Sequence, residues 1–166
     1  MESRAFIGVY PSPDVVSSLA ELTGAPERGV RWVPSHQLHV TMRFLGSVAL
    51  DDARRALETV EHETVTATAG PALVLLGRSI VCLPVAGLDG LAAAVATATA
   101  SIGDPPDPRP FAGHITIARL KGRDSCGAAG VPFAAEWPVD QISLVRSELS
   151  SNGASHEVVA TRELSR

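Results

Sequence analysis

Two short stretches of the 166-residue chain repeat one pattern of residues that can move protons and hold anions. Residues 39–42 read His-Val-Thr-Met, and residues 114–117 read His-Ile-Thr-Ile. Each stretch alternates a polar residue with an apolar one, which is typical of a strand with one buried face. Because successive side chains of a strand point to opposite faces, the histidine and threonine of each stretch share a face. The pattern predicts two strands that each present an imidazole and a hydroxyl.

The paired histidines, His39 and His114, suit general acid–base chemistry at a phosphoryl group. Histidine is the side chain whose ordinary pKa lies closest to neutral pH, so one imidazole can take a proton from the attacking oxygen while the other gives one to the leaving oxygen. Thr41 and Thr116 lie about 7 Å along each strand from the histidine, where a hydroxyl can donate to a non-bridging oxygen. If the two faces meet in one cleft, they suit in-line phosphodiester chemistry without a metal ion.

Three further residues are candidates for this cleft. Arg43 shares the face of His39 and Thr41 by strict alternation, so we expect it to contact a phosphate or ribose. Arg119 falls on the opposite face from His114 unless the strand bends, and its role stays open between substrate contact and surface charge. His156 belongs to the last predicted hairpin, where a surface position is favoured over one in the cleft.

Other site classes are less well supported. A single His-x-Thr strand is usually an ordinary half-exposed surface pair, but two copies in matching apolar frames favour a function. Neither copy has a second histidine or a carboxylate at a ligand spacing such as HExxH, which argues against zinc. The chain contains no GxSxG, which argues against a serine hydrolase, and no glycine-rich phosphate loop.

Composition limits the class of protein. A chain of 166 residues with 45% hydrophobic content predicts one domain over residues 1–166 with an ample core. The net charge of -4 and a pI near 5.7 argue against an extended, sequence-independent interface with a nucleic acid backbone. A local site for a small anion remains compatible with these values. The two cysteines lie far apart and indicate no disulfide framework. No apolar run reaches the length of a membrane span and no signal peptide is evident, so we expect a cytoplasmic protein.

The predicted elements form two α+β halves, each with one His-x-Thr strand. Helices are predicted from Pro13 to just before Gly24, over residues 51–60 and over residues 88–102, and residues 103–110 form a proline-rich loop. Strands are predicted over residues 5–10, 71–76, 79–85, 139–149 and 156–164, with a turn at 150–153. Residues 30–33 form an extended approach to Pro34, the first motif strand follows and stops at Gly46, and another strand holds the second motif.

With both motifs in their frames, the chain resembles the two-histidine (2H) phosphoesterases. Within them it is most similar to the RNA 2′,3′-cyclic phosphodiesterases, once named 2′-5′ RNA ligases. The resemblance extends over nearly the whole chain and is carried by residues 4–9, 30–34, 38–46, 111–119 and 142–149. It departs from the family at Gly113, where a proline is usual, and at His156, where a tyrosine is common.

This resemblance implies a bilobal α+β fold, with two antiparallel-rich sheets, outer helices and a central cleft. It also implies that a monomer hydrolyses the 2′,3′-cyclic phosphate ends of RNA or nucleotides to 2′-phosphates without metal or cofactor. His39 would give a proton to the departing 3′ oxygen and His114 would accept one from water, while Thr41 and Thr116 hold the phosphate. Two alternatives remain open, namely a cyclic phosphate on a small metabolite and a nucleotide-binding module without chemistry.

Overall fold

The chain folds into ten strands and three α-helices, and a computed structural model describes all of residues 1–166. The helices are α1 (Pro13–Leu22), α2 (Leu50–Glu58) and α3 (Asp89–Ala98). The strands are β1 (Glu2–Val9), β2 (Val30–Trp32), β3 (Val40–Ala49), β4 (Val65–Ala69), β5 (Val74–Leu76), β6 (Ile80–Ala86), β7 (His114–Leu120), β8 (Ala135–Val139), β9 (Gln141–Ser150) and β10 (Gly153–Glu163). A single 3-10 turn, Ser35–Gln37, leads into β3. No helix combines the length and the apolar character needed to cross a membrane.

The strands follow one antiparallel path in the order β10-β9-β1-β3-β7-β6-β4-β8, with β2 added beside β7 and β5 beside β6. The first four strands of this path hold the first motif and the last four hold the second, so the two halves meet where β3 contacts β7. The α+β prediction is therefore confirmed, and the two predicted sheets are joined through this contact. Apolar side chains from both halves form one core of 34 buried residues.

Most elements begin where the local chemistry predicts. Ser12 precedes Pro13 at the start of α1, and Asp14 places a negative charge in the first turn, where the helix dipole favours it. Val15 and Leu19, four residues apart, are the buried residues of this helix. The turn before Gly153 joins β9 to β10 as predicted. These matches follow from signals that lie within a few residues of each other.

Three predictions about strands were wrong. Strand β3 does not stop at Gly46 but continues to Ala49 and runs directly into α2. The strand predicted over residues 139–149 begins two residues later, at Gln141, because Asp140 separates β8 from β9. Strands β4 and β8, which pair with each other, extend outside the predicted strands. In β4 the buried residues are only Ala67 and Ala69, whose small side chains give a weak hydrophobic pattern.

A β-bulge interrupts each motif strand just after its threonine. In β3, Thr41 and Arg43 stand opposite two consecutive residues of β1, so Met42 is the extra residue. In β7, Thr116 and Ala118 stand opposite two consecutive residues of β6, so Ile117 is the extra residue. Each bulge shifts the alternation of faces by one residue for the residues that follow it, and in β3 a second irregularity at Leu45 ends this shift.

The shift exchanges the expected positions of the two motif arginines. Arg43 turns into the core and is only 6% exposed, whereas Phe44 faces outward. In β7, Ala118 is buried and Arg119 faces outward. The prediction that Arg43 shares the face of His39 and Thr41 is therefore wrong, because strict alternation ends at the bulge.

The buried Arg43 guanidinium stabilises the C-terminal end of α3. It donates hydrogen bonds to the Thr99 hydroxyl (3.1 Å) and to the carbonyl oxygens of Thr99 and Ile102 (3.2 Å each). It also donates to the carbonyl oxygen of Phe44 at 2.9 Å. Burial lowers the pKa of Arg43, and the nearby Asp104 carboxylate partly offsets this effect. Arg43 thus binds carbonyl oxygens that lie just beyond the last residue of the helix.

We predict that Arg43→Met lowers the free energy of unfolding by about 2–4 kcal/mol, because the hydrogen bonds from the buried guanidinium to three carbonyl oxygens and the Thr99 hydroxyl are lost. Urea denaturation followed by circular dichroism measures this change. The matched control is Arg54→Met on α2, whose side chain is 45% exposed. We expect less than about 0.5 kcal/mol there. Equal changes in the two variants would contradict the structural role of Arg43.

Candidate active site

The site is built on one antiparallel contact between the two halves. Val40 of β3 pairs with Ile115 of β7, and both side chains are fully buried. The residues that flank this pair point to the opposite face of the sheet from Val40 and Ile115. The register places His39 across from Thr116, and Thr41 across from His114. The structure therefore brings together all four predicted motif residues, with each histidine opposite the threonine of the other half.

A backbone carbonyl fixes the proton position on each imidazole. His39 Nδ1 lies 2.6 Å from the carbonyl oxygen of Gln37, and His114 Nδ1 lies 2.8 Å from that of Ala112. A carbonyl oxygen only accepts hydrogen bonds, so both rings donate from Nδ1 and leave Nε2 for proton transfer. In both halves the carbonyl belongs to the residue two positions before the histidine.

Aromatic rings surround His39 on several sides. Phe6 stacks on it with ring centroids 4.5 Å apart, His156 approaches edge-on at 5.5 Å, and Tyr10 lies 6.1 Å away. Burial lowers the pKa of His39, and the Gln37 carbonyl partly offsets this. The charge of Arg119 lowers the pKa further, and a proton on His156 or His114 would do the same. The ring is therefore disposed to be neutral while the cleft is empty.

Thr41 completes the contacts of His39. The Thr41 hydroxyl lies 3.0 Å from His39 Nε2, on the side of the ring that the Gln37 carbonyl leaves free. It can donate to the neutral ring or accept from the protonated one. The first motif is thus a connected unit of carbonyl, imidazole and hydroxyl. In the second motif the His114 ring is oriented in the same way, by the Ala112 carbonyl.

The glycine before His114 is explained by close packing of the backbone. A Cβ atom on Gly113 would overlap the carbonyl oxygen of Val85 on β6. The Gly113 carbonyl also accepts a hydrogen bond from the Val85 amide at 2.9 Å. The departure from the usual proline at this position therefore lets β6 lie directly against the start of β7.

Arg119 lies beside a second unpaired arginine. In the register of β2 and β7, Arg31 stands directly opposite Arg119, so both side chains project from one face. Neither guanidinium takes part in an ion pair. Arg31 also lies close to Gly153 at the start of β10. These positive charges lie on the side of the cleft formed by β7, which favours a substrate contact for Arg119 over an ordinary surface charge.

His156 is a cleft residue that the sequence reasoning placed on the surface, and that preference was wrong. The ring lies 5.2 Å from Phe6 and 5.5 Å from His39. Strand β10 is at the edge of the sheet and shows no regular burial pattern, so alternation gave no signal there. The available signal was the aromatic residue that the family resemblance leads one to expect at this position.

No group of three or more His, Cys, Asp or Glu side chains is arranged to hold a metal ion.

Comparison with known proteins agrees with this arrangement. The family profile described as LigT-like phosphoesterase matches residues 7–69. The chain is 31% identical to the RNA 2′,3′-cyclic phosphodiesterase of Thermus thermophilus, over 94% of this chain and 87% of that protein. A phosphoesterase crystal structure superimposes with a TM-score of 0.83 at 22% identity, covering 100% of both chains. Apo LigT of E. coli superimposes with a TM-score of 0.81 at 21% identity, covering 99% of each. The chain belongs to the LigT-like family of two-histidine phosphoesterases, as its paired motifs predicted.

Proposed function

We propose that the protein is a phosphodiesterase that hydrolyses 2′,3′-cyclic phosphate ends of RNA or nucleotides to 2′-phosphates, without a metal ion or cofactor. The observation that carries this proposal is the Val40–Ile115 pairing, which puts two imidazoles and two hydroxyls on one face. The name of the Thermus relative supports the substrate class. Membership of the family supports the reaction type.

The proposed proton transfers use the nitrogen that each carbonyl leaves free. His114 accepts a proton from a water molecule at Nε2 as the water oxygen bonds to phosphorus. His39, protonated at Nε2, gives its proton to the 3′ oxygen as the phosphorus–oxygen bond breaks. The products are a 2′-phosphate and a free 3′ hydroxyl. Exchange with solvent then returns one proton to His39 and removes one from His114.

The remaining residues bind the phosphate. Thr41 and Thr116 donate hydrogen bonds to its non-bridging oxygens, and Arg119 adds positive charge from the same side. The bound anion also favours the proton on His39, because an opposite charge nearby raises the pKa of an imidazole. The empty cleft disfavours that proton and the occupied cleft restores it. Substrate binding thereby prepares the proposed donor.

Two features bear on the substrate alternatives. E. coli LigT has been crystallised with 3′-AMP and with NADP+, which supports a nucleotide ligand for a cleft of this fold. A cyclic phosphate on a small nucleotide metabolite is therefore the second candidate, and rates on that compound and on an RNA end, measured side by side, separate the two. A binding module without chemistry is less well supported, because both imidazoles keep the carbonyl contacts that orient them for proton transfer.

We predict that His39→Ala and His114→Ala each reduce kcat by about 100- to 10,000-fold, the usual contribution of a general acid or base. The assay uses an oligonucleotide with a 2′,3′-cyclic phosphate end in the presence of a chelator, and chromatography identifies the product. His62→Ala is the matched control, since His62 lies beside Gly90 at the start of α3 and should leave the rate unchanged. Loss of the wild-type rate on chelation, or a 3′-phosphate product, would overturn the proposal.

We predict that Thr41→Val and Thr116→Val each reduce kcat/KM by about 10- to 100-fold, the cost of losing one hydrogen bond to a charged oxygen. Valine keeps the shape of threonine and removes only the hydroxyl. Initial rates on the same oligonucleotide measure the loss. Thr68→Val on β4, an exposed position, should retain the wild-type value. If the two motif variants behave like this control, the threonines do not bind the phosphate.

A further inference from the structure

His156 contacts the proposed proton donor but has no part in the proton transfers described above. It lies on β10 across from Ser147 of β9. Its ring meets Phe6 at an interplanar angle of 71° and His39 at 76°. Phe6 thus contacts both imidazoles, stacking on one and meeting the other edge-on. The two histidines form one packed unit with a shared aromatic partner.

The hydrogen bonds of the two rings differ. His156 Nδ1 is buried and has no hydrogen-bond partner. A protonated His156 would carry a hydrogen on that nitrogen with nothing to accept it, and a buried unsatisfied donor is costly. A neutral ring can carry its single proton on Nε2 instead. The surroundings of His156 therefore favour its neutral form.

His39 has an acceptor for each of its two N–H groups when protonated. The Gln37 carbonyl lies 2.6 Å from Nδ1, and the Thr41 hydroxyl lies 3.0 Å from Nε2. The ring centroids of His39 and His156 are 5.5 Å apart. Two positive charges at that separation, on partly buried rings that both contact Phe6, would repel each other. A proton that enters this pair is therefore better accommodated on His39.

We propose that His156 is a positioning residue for His39, and that the two rings form a coupled pair that carries at most one proton, on His39, while the cleft is empty. The existence of the pair follows from contacts within the protein. Its catalytic meaning rests on the proposed function, in which His39 is the proton donor. The two claims therefore fail in different experiments.

The other groups that face the pair either oppose a positive charge or leave it unaffected. His114 and Arg119 of β7 face His39, and Tyr10 lies at the end of β1. His36, in the 3-10 turn, faces His156. On β9 and β10 the nearest charged side chains pair among themselves: Arg146, Glu148 and Glu157. Burial is the largest cause that lowers the pKa of both rings, and these charges add to it.

The sign of the pH dependence follows directly. Because both folded pKa values lie below the ordinary value of about 6.5, the empty pair is neutral above that pH. As the pH falls, His39 takes the first proton, and its charge then resists protonation of His156. An anion in the cleft adds the opposite charge, so its binding draws a proton onto His39. Binding of a phosphate therefore promotes protonation of His39, the proposed proton donor.

Histidine titration by NMR on the full chain, labelled with 13C at histidine Cε1, tests the pair without any assay of turnover. In the wild type we expect the midpoint of His39 to lie below about 6.5 and that of His156 to lie lower still. His39→Gln should raise the His156 midpoint by about half a pH unit or more, because His156 then titrates without a charged neighbour. His156→Gln should leave the His39 midpoint almost unchanged, because His39 takes its proton while His156 is still neutral.

His36→Gln is the matched control. It removes a charge that faces His156, so we expect it to raise the His156 midpoint and to leave that of His39 almost unchanged. Sulfate, whose charge is constant across the neutral range, serves as the anion probe and should raise the His39 midpoint more than the His156 midpoint. If His156→Gln does not fold, His156→Asn and the order of the wild-type midpoints give the same information.

Three results would overturn the pair: a His156 midpoint above that of His39, a His156 midpoint that His39→Gln leaves unchanged, or a sulfate response confined to His156. Two rings that titrate independently would produce the second result. Absence of turnover together with the His156 shift in His39→Gln would reject the proposed function and retain the pair. Normal turnover with independent titrations would do the reverse.

Discussion

The cleft depends on a contact between two strands that is only one registered residue pair long, Val40 with Ile115. The contact is short because β7 shares its edge between two partners. Beyond Ile115, its next neighbour is the amide of Val33, which donates to the Ile117 carbonyl at 2.9 Å, and then β2. The chain from β2 to β3 therefore follows the edge of β7, and the 3-10 turn on this path supplies the Gln37 carbonyl that orients His39. One stretch of backbone joins the halves and fixes the first imidazole.

The two halves repeat a backbone design more closely than they repeat a sequence. Each has a carbonyl two residues before the histidine and a bulge immediately after the threonine. The side chains around the two imidazoles differ, however. His39 is enclosed by Phe6, Tyr10 and His156, whereas His114 stands across from Pro84 on β6. A symmetric backbone gives both rings the same orientation, but only His39 is enclosed by aromatic rings, and this burial lowers its pKa.

Alternation placed the histidine and threonine of each motif on one face correctly and Arg43 on the wrong face, and the bulges account for both results. Alternation assigns a face correctly only as far as the next irregularity in a strand, and no residue type at Met42 or Ile117 indicates one. His39 and Thr41 precede the bulge, so their shared face was predictable, whereas Arg43 follows it and was placed on the wrong face. The position of His156 was hidden for another reason, because an edge strand exposed on much of its length has no hydrophobic period.

The charges that line the empty cleft indicate which part of a ligand it would bind. Arg31 and Arg119 stand directly opposite each other without a carboxylate partner, although like charges across a strand pair destabilise a sheet. The same field disfavours a proton on His39. A single bound anion relieves both costs, since it neutralises the arginines and stabilises the protonated imidazole. The net charge of -4 means that this positive field is local rather than general. We therefore expect recognition to be concentrated on the terminal phosphate, with little contribution from the backbone of a longer strand.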